Sequence, residues 1–135
     1  MTEISHFQQF LRAAAEQPQP QRLLFVFARA ELPDKATAEQ RERFLAGQGG
    51  ALSPLMCVDK APGDIADFEA LAAESRRAGP PWQVVFAAGL SGSDGRPPTP
   101  AQIDQALEKM VHAVLLGAVA PFAAYNPQGE PLDLR

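Results

Sequence analysis

The chain has 135 residues, of which 46% are hydrophobic and 21% are charged, and its formal net charge is −4. This length and composition predict one folded domain over residues 1–135 and exclude wholesale disorder. The negative charge and the scattered arginines argue against nucleic acid and against an anionic membrane surface, because both partners need a basic surface. Cys57 is the only cysteine, which excludes an internal disulfide and a thiolate zinc site within one chain.

The amino-terminal residues predict no targeting segment. Met1–Ser5 do not form a basic region followed by an apolar core, as a signal peptide would. Elsewhere in the sequence no apolar run is long enough to span a bilayer. We therefore expect a cytoplasmic protein without a membrane partner.

The first two predicted elements are a helix and a strand. Apolar residues recur at helical spacing from Ile4 to Ala14, which predicts a helix with Thr2 as its N-cap. Leu23–Ala28 are six consecutive apolar residues, and such a run is typical of a strand that is covered on both faces. We expect this strand to be central in a sheet, with Trp82–Ala88 as its neighbour.

The middle of the chain predicts two further helices and a strand. Thr37 and Gln40 form a capping box, which indicates a short polar helix ending near Ala46. Leu55–Val58 form the next predicted strand. Asp64 is expected to cap a third helix. The buried stripe of that helix is predicted to contain Ile65, Phe68, Leu71 and Ala72.

The last third of the chain contains the clearest helix start. Thr99 and Gln102 form a capping box around a proline at the first helical position, and apolar residues follow at helical spacing. The sequence Asn126–Gly129 has type I turn chemistry and lies between the short runs Phe122–Tyr125 and Glu130–Leu134. These features predict a fourth helix and a terminal hairpin.

The order of these elements predicts an α/β fold. We expect a single layered domain with a mixed sheet of about five strands, four helices and a C-terminal β-hairpin. Alternating helices and strands favour right-handed crossovers and a largely parallel sheet. The terminal hairpin would then add an antiparallel edge.

The stretch Ser91–Thr99 is the best candidate for a ligand site. It leaves the carboxyl end of a predicted central strand and enters a capped helix, where open α/β sheets place their ligands. Backbone N–H groups and the Arg96 guanidinium could receive an anion there. Asp94 opposes an anion, the phosphate-binding Gly-Lys motif is missing, and a plain connector explains the stretch equally well. The candidate binding residues are Ser91, Gly92, Ser93, Arg96 and Thr99.

Cys57 is a second candidate, as a catalytic nucleophile. A nucleophilic thiolate needs a nearby base, and His6 and His112 are the only histidines in the chain. Both are expected on the polar faces of their helices. Cys57 falls within a predicted strand, where cysteine behaves as a small hydrophobic residue. We therefore predict no catalytic residue.

No metal or cofactor site is predicted. Capping and helix-dipole effects account for the acidic residues that cluster after the second strand. The glycine-rich run Gly47–Gly50 follows a predicted helix rather than a strand, so helix termination explains it. The acidic residues in question are Asp59, Asp64, Asp67 and Glu69.

Several large side chains suggest surface recognition instead. Trp and Tyr are favoured at interfaces, and the chain has more large apolar residues than one small core obviously needs. Packing in the core or at its rim is the simpler interpretation. The residues concerned are Met1, Phe10, Leu32, Phe44, Trp82 and Tyr125.

Three runs resemble a family of small proteobacterial proteins whose members often carry the label "ribonucleotide reductase subunit alpha". The runs are Arg22–Pro33, Gly49–Lys60 and Val84–Gly92. The subunit named by that label resembles a large barrel with a radical cysteine and a redox pair, whereas this chain is short and has one cysteine. The resemblance therefore implies no catalytic residue.

The sequence leaves two hypotheses for function. The favoured one is a non-catalytic accessory or protein-interaction module, whose partner is an unknown protein or a second copy of the chain. The alternative is a small-molecule or anion-binding protein, or a weak enzyme, that uses the Ser91–Thr99 stretch and the N-terminus of the following helix. Neither hypothesis requires a cofactor.

Overall fold

The computed structural model describes residues 5–31, 37–39, 42 and 51–133. Three α-helices and four strands have defined bounds within these residues. In chain order they are α1 (His6–Ala15), β1 (Gln21–Glu31), β2 (Ala51–Lys60), α2 (Phe68–Ala78), β3 (Val84–Ser91), α3 (Pro100–Leu115) and β4 (Ala123–Tyr125), with a 3-10 helix at Pro62–Asp64 between β2 and α2.

The four strands form one sheet in the order β2-β1-β3-β4, and every neighbouring pair is antiparallel. The predicted α/β domain with a single sheet is therefore confirmed, but the prediction of a mixed, largely parallel sheet is wrong, and the described residues form four strands where about five were predicted. β2 and β3 both run antiparallel to β1, so they are parallel to each other and α2 connects them across β1. The alternation of strand, helix and strand in the sequence indicated this β2-α2-β3 unit. Periodicity does not reveal that β1 lies between β2 and β3 in the sheet.

The prediction of a central strand covered on both faces is confirmed. None of Leu23–Ala28 is more than 4% exposed. The odd-numbered side chains of this run join a cluster with Phe7 of α1 and Leu71 of α2. The even-numbered side chains join a second cluster with Ile103 and Val114 of α3. The molecule thus has three layers, with α1 and α2 on one face of the sheet and α3 on the other.

The layer beneath α1 and α2 is rich in aromatic rings. The ring of Phe7 lies 5.2 Å from that of Phe68, 5.4 Å from that of Tyr125 and 6.2 Å from that of Phe25, measured between centroids. The first two contacts are edge-to-face, a geometry that adds about 0.5–1.5 kcal/mol beyond the area buried. Aromatic packing therefore holds α1 and α2 against the sheet.

The first helix begins at a residue other than the predicted one. α1 begins at His6, and the Ser5 hydroxyl caps it by accepting a hydrogen bond from the Gln8 amide at 3.1 Å. The predicted cap, Thr2, lies outside the described residues. Of the predicted polar helix ending near Ala46, residues 38, 39 and 42 are helical, and the rest after Thr37 lies outside the described residues.

The predicted start of the third helix is also wrong. The carboxylate of Asp64 accepts from the Ala61 amide and closes the short 3-10 helix. α2 begins later, at Phe68, where the Asp67 carboxylate accepts from the Ala70 amide at 2.9 Å. Two aspartates lie at suitable positions, and the intervening backbone, which turns extended after the 3-10 helix, decides which one caps α2.

The predictions for the C-terminal third are largely confirmed. Thr99 and Gln102 form the predicted reciprocal capping box of α3. The Gly129 amide donates to the Asn126 carbonyl at 2.9 Å, as a four-residue turn requires, and Gly129 has a positive φ of 84°. After this turn the chain makes a single antiparallel bridge to β4 rather than a fifth strand, so the predicted hairpin is present only in this shortened form.

A buried hydrogen-bond chain yields the first testable prediction. The Trp82 indole N–H donates to the Ser75 hydroxyl at 2.8 Å, and that hydroxyl donates to the Ala72 carbonyl at 2.6 Å. Ser75→Ala removes the acceptor and leaves a buried donor without a partner, so we expect the free energy of unfolding to fall by about 1–3 kcal/mol. Urea denaturation followed by the fluorescence of the single tryptophan measures this loss.

The control repeats the serine substitution in a Trp82→Phe background, where no indole donor is present. The loss caused by Ser75→Ala should be smaller there. An equal loss in both backgrounds would show that the indole hydrogen bond contributes nothing to stability.

Candidate functional site

The Ser91–Thr99 stretch forms a compact turn rather than an open loop. Ser93 and Arg96 exchange two backbone hydrogen bonds of 2.9–3.0 Å, and the two residues between them, Asp94 and Gly95, have positive φ values of 53° and 74°. This is the geometry of a type I′ turn, for which Asp-Gly is a favoured pair. The turn brings Ser93 and Arg96 together and directs the chain through two prolines to Thr99.

Most of the hydrogen-bonding groups of this stretch are engaged within the protein. The Gly92 amide donates to the Pro20 carbonyl at 2.8 Å, and the Gly95 amide donates to the Gln19 side-chain oxygen at 2.8 Å. The Ser91 hydroxyl accepts from the Gln21 side-chain amide at 2.7 Å. The Thr99 hydroxyl caps α3. These bonds tie the end of β3 to the segment before β1.

The ligand hypothesis for this stretch stays a prediction with less to support it. It relied on the geometry of parallel strands, whose carboxyl ends share one edge of the sheet. In the antiparallel sheet, Ser91 at the end of β3 pairs with Gln21 at the start of β1. The exposed Arg96 side chain is the remaining feature that favours an anion.

Cys57 lies within β2, as predicted, and its side chain is exposed there. Partial burial and the nearby negative charge of Asp59 raise the pKa of its thiol. A nucleophilic cysteine requires the opposite shift. His6 and His112 are exposed on α1 and α3. Within the described ranges, no group of three or more histidine, cysteine or acidic side chains could hold a metal ion.

The acidic residues at the end of β2 and after it have structural roles, although Asp59 forms an ion pair in place of the predicted capping or helix-dipole role. The Asp59 carboxylate pairs with the Arg22 guanidinium at 2.6 Å, beside the antiparallel pairing of β1 and β2. Asp64 and Asp67 cap the 3-10 helix and α2. Glu69 lies in the first turn of α2, where a negative charge stabilises the helix.

The side chains proposed for surface recognition pack inside the protein where the structure describes them. Trp82 and Tyr125 are buried, and Phe10 packs against the cluster around Phe7. The other three of that set lie outside the described residues. Among the residues that the structure describes, the exposed large apolar side chains are Leu115 and Leu116, at the end of α3.

The outer edge of β2, the side that faces away from β1, has backbone groups that point away from the sheet. The Pro20 carbonyl accepts from the Gly92 amide, so the backbone of Pro20 points toward β3. Because backbone groups alternate in direction along an antiparallel strand, the even-numbered residues of β1 face β3 and the odd-numbered ones face β2. Val58 and Lys60 pair with odd-numbered residues and therefore direct their N–H and C=O groups toward β1. Cys57 and Asp59 direct theirs away from the sheet.

The first half of β2 is protected against pairing with another strand. Pro54 pairs with Ala28, an even-numbered residue, so its nitrogen also faces outward, where a missing N–H breaks no bond of the ladder. A β-bulge between Phe27 and Ala28 of β1 and the opposing residues of β2 interrupts the register. The regular part of the outer edge is therefore the stretch that carries Cys57 and Asp59.

An apolar cleft lies beside this edge, between β2 and α2. Its volume is about 300 Å³. Gly79 ends α2 beside the cleft, and a Cβ atom there would lie 2.8 Å from the sulfur of Met56, so the Met56 side chain would have to move to accept a larger residue. We call this space the β2–α2 cleft. It is lined by Phe27, Met56, Cys57, Val58, Leu71, Glu74, Ser75 and Ala78.

The polar side chains that line the β2–α2 cleft have partners within the protein. The Ser75 hydroxyl bonds to Trp82 and to the Ala72 carbonyl. The Glu74 carboxylate pairs with the Lys60 ammonium at 2.7 Å and so links α2 to the end of β2. The cleft was not predicted from the sequence. The signal was the spacing of Leu71, Glu74, Ser75 and Ala78, which places all four on one face of α2.

No protein-family model, curated protein or solved structure matches the chain. The resemblance to the small proteobacterial family therefore stays a prediction. Across the described part of the chain, no helix has the length and apolar character needed to cross a bilayer.

The Ser93–Arg96 turn yields a prediction about Gly92. A Cβ atom on Gly92 would lie 1.8 Å from the Arg96 carbonyl oxygen, so the turn must open to accept alanine. We expect Gly92→Ala to lower the free energy of unfolding by about 1–3 kcal/mol, measured by urea denaturation. Gly63→Ala is the control, because no atom lies within 4 Å of a Cβ at that position. Equal stability of the two variants would contradict the turn geometry.

The environment of Cys57 yields a prediction about its reactivity. A raised pKa means a smaller thiolate fraction at neutral pH, so iodoacetamide should alkylate Cys57 more slowly than it alkylates an unperturbed thiol. Asp59→Asn removes the negative charge that disfavours the thiolate, and we expect it to move the pH–rate profile to lower pH. Mass spectrometry of the alkylated protein measures the rate.

Asp94→Asn is the control for the change in net charge, because asparagine tolerates the positive φ of that position. It should leave the alkylation profile unchanged. A profile that Asp59→Asn does not move would contradict the contribution of Asp59 to the raised pKa and leave burial as its cause.

Proposed function

We propose that the chain is a non-catalytic protein-interaction module that binds an extended segment of a partner protein along the outer edge of β2. The observation that carries this proposal is the position of the β2–α2 cleft next to that edge. In β-strand addition, main-chain hydrogen bonds to an edge strand provide affinity and a neighbouring pocket for alternate side chains provides specificity. Both parts are found here on adjacent surfaces.

The backbone of β2 supports this proposal. Cys57 and Asp59 direct their N–H and C=O groups away from β1, so an added strand can form hydrogen bonds with two alternate residues. The side chain of Cys57 is exposed at the same point, which leaves that part of the edge accessible.

The state of the polar groups supports the absence of catalysis. The one thiol has a raised pKa, and the backbone amides of Gly92, Ser93, Gly95, Arg96 and Thr99 are engaged in hydrogen bonds within the protein. A catalytic site instead needs nucleophiles or bases whose pKa values are adjusted for proton transfer. The arrangement therefore favours recognition over chemistry.

A proline at position 57 tests the proposed edge. Cys57→Pro removes an N–H that faces outward and leaves the β1–β2 ladder intact, so the free energy of unfolding should stay close to that of the wild type. Val58→Pro removes an N–H that faces β1 and should cost about 1–3 kcal/mol. We expect short peptides, selected from a displayed random library on the wild-type protein, to lose binding to Cys57→Pro. Fluorescence anisotropy of the labelled peptides measures their affinity.

Cys57→Ser is the matched control, because it changes the same side chain and keeps the backbone N–H. It should bind the selected peptides as the wild type does. Peptides that bind wild type and Cys57→Pro equally would contradict the proposal, as would a library that yields no binder. A dimer detected by light scattering and lost in Cys57→Pro would identify the partner as a second copy of the chain.

A further inference from the structure

We infer that the partner segment carries a neutral, apolar side chain that enters the β2–α2 cleft. This inference rests on the proposed function, because it assumes that the segment lies beside β2. It adds the chemical nature of the partner at one position, which the edge alone does not determine.

The side chains of β2 alternate between the two faces of the sheet. Met56 and Val58 pack on the face of the sheet that α2 covers. Side chains of neighbouring strands share the two faces of a sheet, and successive residues alternate between these faces. Every second residue of a strand added beside β2 therefore points to the α2 face, next to the β2–α2 cleft.

The described residues that line the β2–α2 cleft offer no unpaired charge to an incoming side chain. Glu74 is the ionised group among the residues that line the cleft, and the Lys60 ammonium compensates it at 2.7 Å. Both oxygen and proton of the Ser75 hydroxyl are engaged in hydrogen bonds. A charged or strongly polar side chain would lose its hydration in this cleft without gaining a partner. An apolar side chain would bury surface at no such cost.

The β2–α2 cleft is small. A volume of about 300 Å³ lies at the lower end of the range for small-molecule pockets. The lining side chains Met56 and Val58 remain half-exposed, so apolar surface is left for an incoming group to cover. The cleft suits one or two aliphatic or aromatic side chains of a peptide that is held by its backbone.

The experiment fills the cleft without changing the edge. Ala78 is an exposed residue that lines the cleft at the end of α2, so Ala78→Leu should fold normally and occupy part of the space. We expect it to weaken the library-selected peptides by about tenfold or more. Ala70→Leu is the matched control, because Ala70 is exposed on α2 outside the cleft, and it should not change the affinity.

A second selection provides an independent readout. Peptides selected on the wild type should share one apolar position. Peptides selected on Ala78→Leu should carry alanine or glycine at that position, because the cleft is filled.

The outcomes separate this inference from the proposed function. Peptides that lose binding to Cys57→Pro but not to Ala78→Leu would overturn the role of the cleft and retain the edge as the docking site. Selected peptides with a charged residue at the shared position would overturn the inferred chemistry. A further outcome is a wild type that binds an apolar dye such as Nile red but no peptide, with the dye binding lost in Ala78→Leu. That result would make the cleft a small-molecule site and overturn both the inference and the proposed function.

Discussion

Burial of β1 on both faces is the interaction on which the rest of the structure depends. Each large apolar side chain that is fully buried contributes about 1.5–3 kcal/mol, while the net stability of a domain is about 5–15 kcal/mol. Phe25, Val26 and Phe27 are each buried almost completely. A strand that holds this much apolar surface must lie at the centre of the sheet, between helices on either face.

The central position of β1 determines what the other strands can do. β2 and β3 both pair with it, and β2 is one edge of the sheet that the described residues form. The opposite edge is β4, which has three residues and is bridged by the chain that follows it. Short edge strands are poor templates for pairing, whereas β2 is longer and is protected by Pro54 and a bulge over its first half only. The two edges therefore differ, and the regular stretch of β2 is the more suitable for a partner.

The contacts that hold α2 against β2 also shape the β2–α2 cleft. The Lys60–Glu74 pair and the Trp82–Ser75 hydrogen bond both anchor α2, and both satisfy polar groups at the β2–α2 cleft. An apolar cleft results because these polar groups already have partners. In the Ser91–Thr99 stretch, too, polar groups are engaged in hydrogen bonds within the protein. Its glycines, serines and threonine suggest a ligand loop, but the same residue types build tight turns and helix caps, and here they do so.

The sequence by itself determined the features that depend on residues close together in the chain. The apolar run Leu23–Ala28, the Thr99 capping box and the Asn126–Gly129 turn follow from local periodicity, capping and turn chemistry. Tertiary structure alone decided the order of the strands, their antiparallel directions and the exposure of the Cys57 side chain. It also created the β2–α2 cleft, which Ala78 lines at the end of α2. These features arise from contacts between segments far apart in the chain, and periodicity specifies which face of an element is apolar but not which element will cover it.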